Sequence, residues 1–254
     1  MSSADPGTVL ITGGGSRRGI GRATALRFAA LGYAVAVLDI DADAAGDTAR
    51  QAKKAGSPEV FSAYADVTDQ ASVNEAVRAA EAALPPVTVL ANIAGISAPT
   101  RFEDITLDEW ERIFAVNVRG TFLVTQAILP GMRARGYGRI VTMASVSGQR
   151  GGGVFGASHY SASKAAILGL TKSLARELAG QGITINAVAP SMVDTDITGG
   201  AMTEERKTEL AATTLLHRLA TPADVAGVIV FLASPDSSYL TGATIDVNGG
   251  SHLH

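Results

Sequence analysis

The sequence predicts an α/β fold in which one parallel sheet of seven strands is covered by helices on both faces. Short apolar runs of four to eight residues alternate with helical segments of ten or more, the pattern of βαβ units. Runs such as "TVLIT", "AVAVL" and "ITINAV" are almost continuously apolar, as expected of strands buried on both faces. No repeat, low-complexity block or linker interrupts the chain, so we predict a single domain over residues 1–254.

The elements follow one another in a regular order along the chain. Strands are predicted at 8–12, 34–40, 60–67, 87–95, 138–145, 183–190 and 243–250. Helices are predicted at 21–32, between the second and third strands, and at 72–84, about 106–135 and 160–181. Segment 191–220 is less regular, with paired glycines and a charged helix, and it is interpreted as a flexible substrate lid.

Composition excludes several classes of protein and site. The chain has 46% hydrophobic and 18% charged residues, which is an ordinary globular balance. Cysteine is absent, so disulfides, cysteine-based zinc sites and a cysteine nucleophile are excluded. A net charge of -3 argues against nucleic acid and against an anionic membrane surface as partners. No signal peptide or uninterrupted apolar run of spanning length is evident, so we expect a soluble cytoplasmic protein.

The stretch "TGGGSRRGIGRA" (12–23) lies between the first predicted strand and the first predicted helix. In that position, a glycine-rich turn brings backbone N–H groups and a helix N-terminus to a pyrophosphate. A merely flexible turn is the alternative interpretation. No Lys-Ser/Thr pair follows the glycines, which disfavours a nucleoside-triphosphate loop.

Asp39, at the end of the second strand, bears on the choice of dinucleotide. An acid there accepts hydrogen bonds from the adenosine ribose and repels the 2′-phosphate of NADP. Arg17 and Arg18 act in the opposite sense, because a guanidinium can hold that phosphate. We predict NAD, with NADP the alternative. Asp39 could also serve as a helix N-cap.

Four motifs in order, "TGGGSRRGIG", "NIAG" (92–95), "YSASK" (160–164) and "PSMVDT" (190–195), resemble those of the short-chain dehydrogenase/reductase family. The resemblance runs from about residue 7 to 250 and is to the single-domain branch of roughly 250 residues. It implies a Rossmann-like doubly wound fold, nicotinamide cofactor binding and oxidoreductase activity.

The resemblance also implies a set of cofactor-binding residues. The glycine pattern is met by Gly15, Gly19 and Gly21, with Thr12-Gly13 as its start, so either Gly13 or Gly15 is the early glycine at the phosphate. Asp66 and Val67 match positions that hold the adenine, and Val193 and Thr195 match contacts to the carboxamide. The full implied set is Gly13, Gly15, Arg18, Gly19, Ile20, Asp39, Asp66, Val67, Asn92, Ala94, Gly95, Tyr160, Lys164, Pro190, Val193 and Thr195.

The family carries its catalytic residues on the same motifs. Tyr160 would be the general acid in ketone reduction and the base in alcohol oxidation. Lys164, one helical turn on, would lower the phenol pKa and hold the nicotinamide ribose. Ser145 would bind the substrate oxygen, and Asn117 would position a water that links Lys164 to solvent.

The histidines are not predicted to be catalytic. His159 does not share a helix face with Tyr160 and is interpreted as a packing or loop residue. His217 is assigned to the surface, and His252 and His254 alone make too weak a metal site, so no metal is predicted. The glycine-rich stretch 146–159 is predicted to be a flexible substrate loop. Together with the lid, it would line a partly apolar pocket formed by Ile96, Met192, Val154 and Phe155.

These observations leave more than one function open. The leading hypothesis is an NAD-dependent oxidoreductase for a small-molecule secondary alcohol or ketone. The alternative is an NADPH-dependent 3-oxoacyl-thioester reductase, which should show a basic patch for an acidic carrier protein. Arg133, Arg135 and Arg139 could form that patch but are interpreted as a solvated helix end. A non-catalytic dinucleotide sensor is disfavoured because Tyr160 and Lys164 are both present, and a homotetramer is implied by the resemblance.

Overall fold

The computed structural model describes residues 7–153, 156–196 and 203–253. Seven strands form one parallel sheet in the order β3-β2-β1-β4-β5-β6-β7. The strands are β1 (Thr8–Thr12), β2 (Ala34–Asp39), β3 (Val60–Tyr64), β4 (Val87–Asn92), β5 (Gly138–Met143), β6 (Ile183–Pro190) and β7 (Thr244–Val247). The strand order reverses between β1 and β4, which opens a crevice at the carboxyl ends of these strands.

Helices cover both faces of the sheet, as predicted. They are α1 (Ile20–Ala30), α2 (Ala42–Lys54), α3 (Gln70–Ala83), α4 (Leu107–Phe114), α5 (Gly120–Arg135), α6 (Val146–Arg150), α7 (Ser158–Glu177), α8 (Glu204–Ala212) and α9 (Pro222–Ala233). Apolar residues of α1, α2 and α9 form one core with the sheet, and those of α3 and α5 form a second core on the other face. The Rossmann-like, doubly wound fold is therefore confirmed.

Helix α9 lies in residues 221–242, to which the sequence analysis assigned no element. The helix begins with a capping box, in which Thr221 and Asp224 each accept a hydrogen bond from the other's backbone N–H. Its sequence, "PADVAGVIVFLA", is apolar on nearly every side, because the helix is packed between α1 and the sheet. Without a polar face it shows no amphipathic period, and this is why the pattern did not reveal it.

A π-helical turn at Ala115–Arg119 joins α4 to α5 in the long region that was predicted as one helix. The joined run Leu107–Arg135 is long and apolar enough to cross a membrane, but half of its most apolar window is buried inside the fold. A core helix passes the same test, and α5 packs against α3 and β4 in this way.

Two predicted loops contain helices. Within stretch 146–159, predicted to be a flexible loop, residues 146–150 form α6 and residues 158–159 begin α7, so the prediction of a loop was wrong for these two segments. Ser145 caps α6 by accepting a hydrogen bond from the Ser147 N–H. The charged helix predicted in the lid is α8. Val154 and Phe155, predicted pocket residues, lie outside the described residues, as does segment 197–202 of the lid.

Candidate active site

The turn after β1 is packed too tightly for any residue but glycine at two positions. Gly13 has a φ of +73°, and a Cβ there would lie 2.7 Å from the backbone N and Cα of Ala94. A Cβ at Gly21 would overlap the Gly13 carbonyl oxygen. The Thr12 hydroxyl accepts hydrogen bonds from the N–H groups of Ile93 (3.1 Å) and Ala94 (3.2 Å). The turn and the loop after β4 therefore form one rigid cradle.

The donor set of this cradle fits a dinucleotide phosphate. Helix α1 begins after Gly19, which has no side chain to cap the first N–H groups. These N–H groups and the positive end of the helix dipole are therefore available to an anion. Gly13, Gly19 and Ile20 line a cavity of about 850 Å³. A pyrophosphate bound here would need no charged side chain.

Gly15 and Arg18 make other contacts and do not line the cavity. The Gly15 N–H donates to Asp39 Oδ2 at 2.8 Å, so Gly13 is the early glycine that faces the cleft. Arg18 forms an ion pair with Asp194, and its backbone N–H donates to Asp196 Oδ2 at 3.0 Å. Arg18 thus joins the turn to the segment that leads into the lid.

Asp39 faces the cavity with both carboxylate oxygens held in place. Oδ2 accepts from Gly15, and Oδ1 accepts from the Asp41 N–H at 3.0 Å. The possible N-cap role of Asp39 was wrong, because Asp41 caps α2 by accepting from the Ala44 N–H. Asp39 therefore presents a fixed negative charge at the cofactor end of the cleft.

Three further predicted cofactor residues do not line the cavity. Asp66 accepts hydrogen bonds from the backbone and hydroxyl of Thr68, both at 2.8 Å. Val67 packs against the α-carbon of Gly120, and Asn92 Nδ2 donates to the Thr125 hydroxyl at 2.9 Å. Asn92 thereby braces β4 against α5. The predicted adenine contacts of Asp66 and Val67 stay predictions.

Lys164 is buried beneath the carboxyl end of β5. Its Nζ donates to the Met143 carbonyl at 2.8 Å and lies 5.7 Å from the centre of the Tyr160 ring. Burial lowers the pKa of Lys164 from 10.5 to about 8, because the charged ammonium loses its hydration.

Tyr160 lines the cavity beside Ser145. Burial raises the pKa of the Tyr160 phenol above 10, and the interaction with the Ser145 side chain opposes this only in part. The family resemblance implied that Lys164 would lower the pKa of the phenol, and in this structure the shift has the opposite sign. The reason is that a buried phenolate loses its hydration, which disfavours the charged form of the phenol.

Ser145, Pro190, Val193 and Thr195 complete this part of the cavity, together with the loop residues Ala94 and Gly95. Ser145 Oγ lies 3.5 Å from the Pro190 carbonyl, so the ends of β5 and β6 meet at the hydroxyl. Val193 forms an isolated parallel bridge with Ala220, which fixes the start of the lid. The structure thus brings together Ser145, Tyr160 and Lys164, as predicted.

Asn117 stands behind the cavity and holds its wall. Its amide accepts from the Ile96 N–H and donates to the Ile96 carbonyl, both at 2.9 Å, and it also donates to the Ser163 hydroxyl at 3.0 Å. Asn117 lies in the π-helical turn, a feature frequently found at functional sites. Its predicted role in positioning a water stays a prediction.

Gly156 is a site residue that the sequence analysis missed. A Cβ at this position would overlap the Tyr160 ring, with Cε1 only 2.9 Å away. The backbone at Gly156 therefore packs directly against the phenol. A glycine in a glycine-rich loop carries no signal of such a contact.

Other predicted residues take structural roles. His159 is buried and pairs with Glu109, which agrees with a packing residue. Arg139 is buried on β5 and donates to the Gly138 carbonyl. Its interpretation as part of a solvated helix end was therefore wrong. Among the residues that the structure describes, no cluster of histidine and acidic side chains could hold a metal ion.

The lowered pKa of Lys164 predicts a pH-dependent stability. Between pH 8 and 10.5 the unfolded chain binds more protons at this lysine than the folded protein does, so the free energy of unfolding should rise with pH. Lys164→Met lacks this contribution. We expect the stability of the wild type relative to Lys164→Met to increase as pH is raised from 8 to 10, measured by urea unfolding. A difference in unfolding free energy between the two proteins that is independent of pH would contradict the lowered pKa of Lys164.

Substitution of Gly156 should displace the phenol. In Gly156→Ala the new methyl group must push the Tyr160 ring aside, and a misplaced catalytic group typically costs roughly 10- to 100-fold in kcat. Binding of the dinucleotide, measured by fluorescence titration, should be unchanged. Gly46→Ala is the matched control, because a Cβ there meets only the Arg50 and Ser62 side chains, at 3.4 Å or more. Equal kcat values in Gly156→Ala and Gly46→Ala would contradict the close packing of Gly156 against the Tyr160 ring.

Comparison with known proteins agrees with this geometry. The family model described as enoyl-(acyl carrier protein) reductase matches residues 13–252. An uncharacterized short-chain type dehydrogenase/reductase of Sinorhizobium fredii is 44% identical over 97% of this chain and 98% of its own. An acetoacetyl-CoA reductase of Rhizobium meliloti is 38% identical over 96% of this chain and 98% of its own.

Among solved structures, the crystal structure of a 3-oxoacyl-[acyl-carrier protein] reductase from Brucella melitensis superposes with a TM-score of 0.91 at 34% identity. That match covers 99% of this chain and 93% of the other. Sequence, fold and the Ser145–Tyr160–Lys164 arrangement thus point the same way. The chain belongs to the short-chain dehydrogenase/reductase family and is an NAD(P)-dependent oxidoreductase acting on CH–OH or keto groups.

Proposed function

We propose that this enzyme interconverts 3-oxoacyl and 3-hydroxyacyl thioesters, with NAD(H) as its dinucleotide. The supporting observation is that relatives named for acetoacetyl-CoA and 3-oxoacyl-[acyl-carrier protein] reduction match nearly the whole chain, with Ser145, Tyr160 and Lys164 in one cavity. The proposal takes its substrate class from the alternative hypothesis of an NADPH-dependent 3-oxoacyl-thioester reductase, and its dinucleotide from the leading one.

The chain's own residues account for the proton in this reaction. The bound reduced nicotinamide would supply a hydride to the carbonyl carbon. Tyr160 donates the phenol proton to the carbonyl oxygen. Addition of the hydride and this proton converts the ketone to a secondary alcohol. Its raised pKa keeps the phenol protonated at neutral pH, which is the form that reduction requires. Ser145, beside Tyr160, orients the carbonyl oxygen, and the Lys164 ammonium stabilises the phenolate left behind.

The walls of the cavity suit an acyl chain on an anionic carrier. Ile96 and Met192 supply apolar surface, and Arg112 and Arg150 also line the cavity as exposed cations. Thioester carriers such as coenzyme A bear phosphates, which guanidinium groups bind well. The Arg133–Arg139 region is not needed for this purpose.

Asp39 supports NAD as the dinucleotide. Its carboxylate is fixed by two N–H donors and faces the cavity, where it would repel a 2′-phosphate. A like-charge pair at 4 Å costs about 4 kcal/mol at an effective dielectric constant of 20, before screening. Arg18, one of the two competing cations, is neutralised in part by Asp194. Arg17 is the remaining cation.

Initial rates with NADH and NADPH test both parts of this proposal. The substrates are acetoacetyl-CoA, a vicinal diketone and a cyclic ketone. We expect acetoacetyl-CoA with NADH to give the highest kcat/KM, and Tyr160→Phe to abolish turnover. Asp39→Asn should reduce the NADH/NADPH preference by roughly tenfold, since it removes the repulsive charge but keeps the side-chain shape. Arg17→Gln, the matched control, should leave NADH rates unchanged.

Each part can fail separately. NADPH preference in the wild type that Arg17→Gln abolishes would overturn the choice of NAD. Turnover of a diketone or cyclic ketone without thioester turnover would overturn the substrate class. The homotetramer and the cytoplasmic location expected from the sequence stay predictions.

A further inference from the structure

His159 is completely buried in the first turn of α7, immediately before Tyr160. Its Nε2 lies 3.0 Å from Glu109 Oε1 on α4. Its Nδ1 is buried and has no hydrogen-bond partner in the part of the chain that the structure describes. A buried N–H without an acceptor is costly, so the proton belongs on Nε2, where it is donated to the carboxylate.

Glu109 joins this bond to the wall of the cavity. The same Oε1 that accepts from His159 also accepts from the Thr100 hydroxyl at 2.8 Å. The pKa of Glu109 is held below its usual value by the hydrogen bonds from Thr100 and His159, so the carboxylate is charged at neutral pH. Hydrogen bonds to a charged acceptor are stronger than those between neutral groups. Three separate segments therefore meet at one oxygen atom.

The segment that ends at Thr100 forms the substrate side of the cleft. Ile96 and Ser97 line the cavity, and the Ala98 carbonyl accepts from the Ala157 N–H at 3.1 Å, just before α7. The wall is thus tied to the first turn of α7 at two points, through Ala157 and through His159–Glu109–Thr100. The distance between this wall and the Tyr160 phenol depends on both ties.

We propose that His159 is a positioning residue, which through Glu109 and Thr100 sets the gap between Tyr160 and the 96–100 wall in which the substrate carbonyl must fit. His159 does not touch the reacting atoms and acts only through these bonds. The inference rests on the proposed acid/base role of Tyr160, but it does not depend on which ketone is the substrate.

Two variants of His159 separate this role from simple packing. His159→Gln keeps an amide N–H that can donate to Glu109, whereas His159→Leu fills the space without a donor. For whichever ketone the wild type reduces best, we expect His159→Leu to raise KM about tenfold and to lower kcat roughly 10- to 100-fold, because small misplacements of a catalytic group have effects of this size. His159→Gln should stay within about threefold of the wild type in both constants. The Kd for NADH should be unchanged in both variants.

Hydrogen exchange followed by mass spectrometry gives a readout that needs no substrate. Amides of residues 96–100 should exchange faster in His159→Leu than in the wild type and remain protected in His159→Gln. Equal damage in both variants, or parallel loss of NADH binding in His159→Leu, would overturn the proposal in favour of a purely structural histidine. Failure of acetoacetyl-CoA as a substrate would instead count against the proposed function. The hydrogen-exchange result would still test the role of His159.

Discussion

A buried lysine ammonium is the constraint around which the cleft is built. Charge is costly to remove from water, and the Met143 carbonyl at 2.8 Å is the backbone acceptor that compensates Lys164. The surrounding backbone must come close to the lysine. A Cβ at Gly95 would lie 3.3 Å from Nζ, and one at Gly148 would lie 2.6 Å from the Lys164 carbonyl carbon. The small residues around Tyr160 and Lys164 thus have a packing reason: larger side chains would hold these elements apart.

The strands of the sheet were predictable because each one is indicated by its own short stretch of sequence. Each strand is a short apolar run between turn residues, and six of the seven strands begin at the predicted residue. Their ends were predicted less well: β3, β4, β5 and β7 stop two or three residues early, at Tyr64, Asn92, Met143 and Val247. The apolar residues that follow β4 and β5, such as Ile93 and Ala144, line the cavity, whereas Val67 after β3 packs against Gly120. Helix α9 escaped prediction because its sequence is apolar on nearly every side and therefore shows no helical period.

The site was predictable where one motif holds the residues and unpredictable where distant segments meet. Tyr160 and Lys164 share a helix face, and the spacing alone placed them together. Arg18 was assigned to the cofactor, but it pairs with Asp194, which lies 176 residues further along the chain. His159 and Glu109 are 50 residues apart, and neither carries a pattern that points to the other. The contact between His159 and Glu109 depends on how α4 packs against α7, and the hydrophobic periodicity of the sequence does not predict that packing.

The sign of the phenol shift bears on how this site works. A phenol with a raised pKa stays protonated at neutral pH, and reduction of a carbonyl consumes that proton. Oxidation of an alcohol instead needs the phenolate, which burial disfavours. Lys164 stabilises the phenolate only while it is charged, and its own pKa of about 8 places the loss of that charge just above neutral pH. Because the pKa of the phenol lies above that of Lys164, the lysine loses its charge before the phenol loses its proton as the pH is raised. The protein's own groups therefore hold Tyr160 in its protonated form, and its action as a base requires additional positive charge in the cleft.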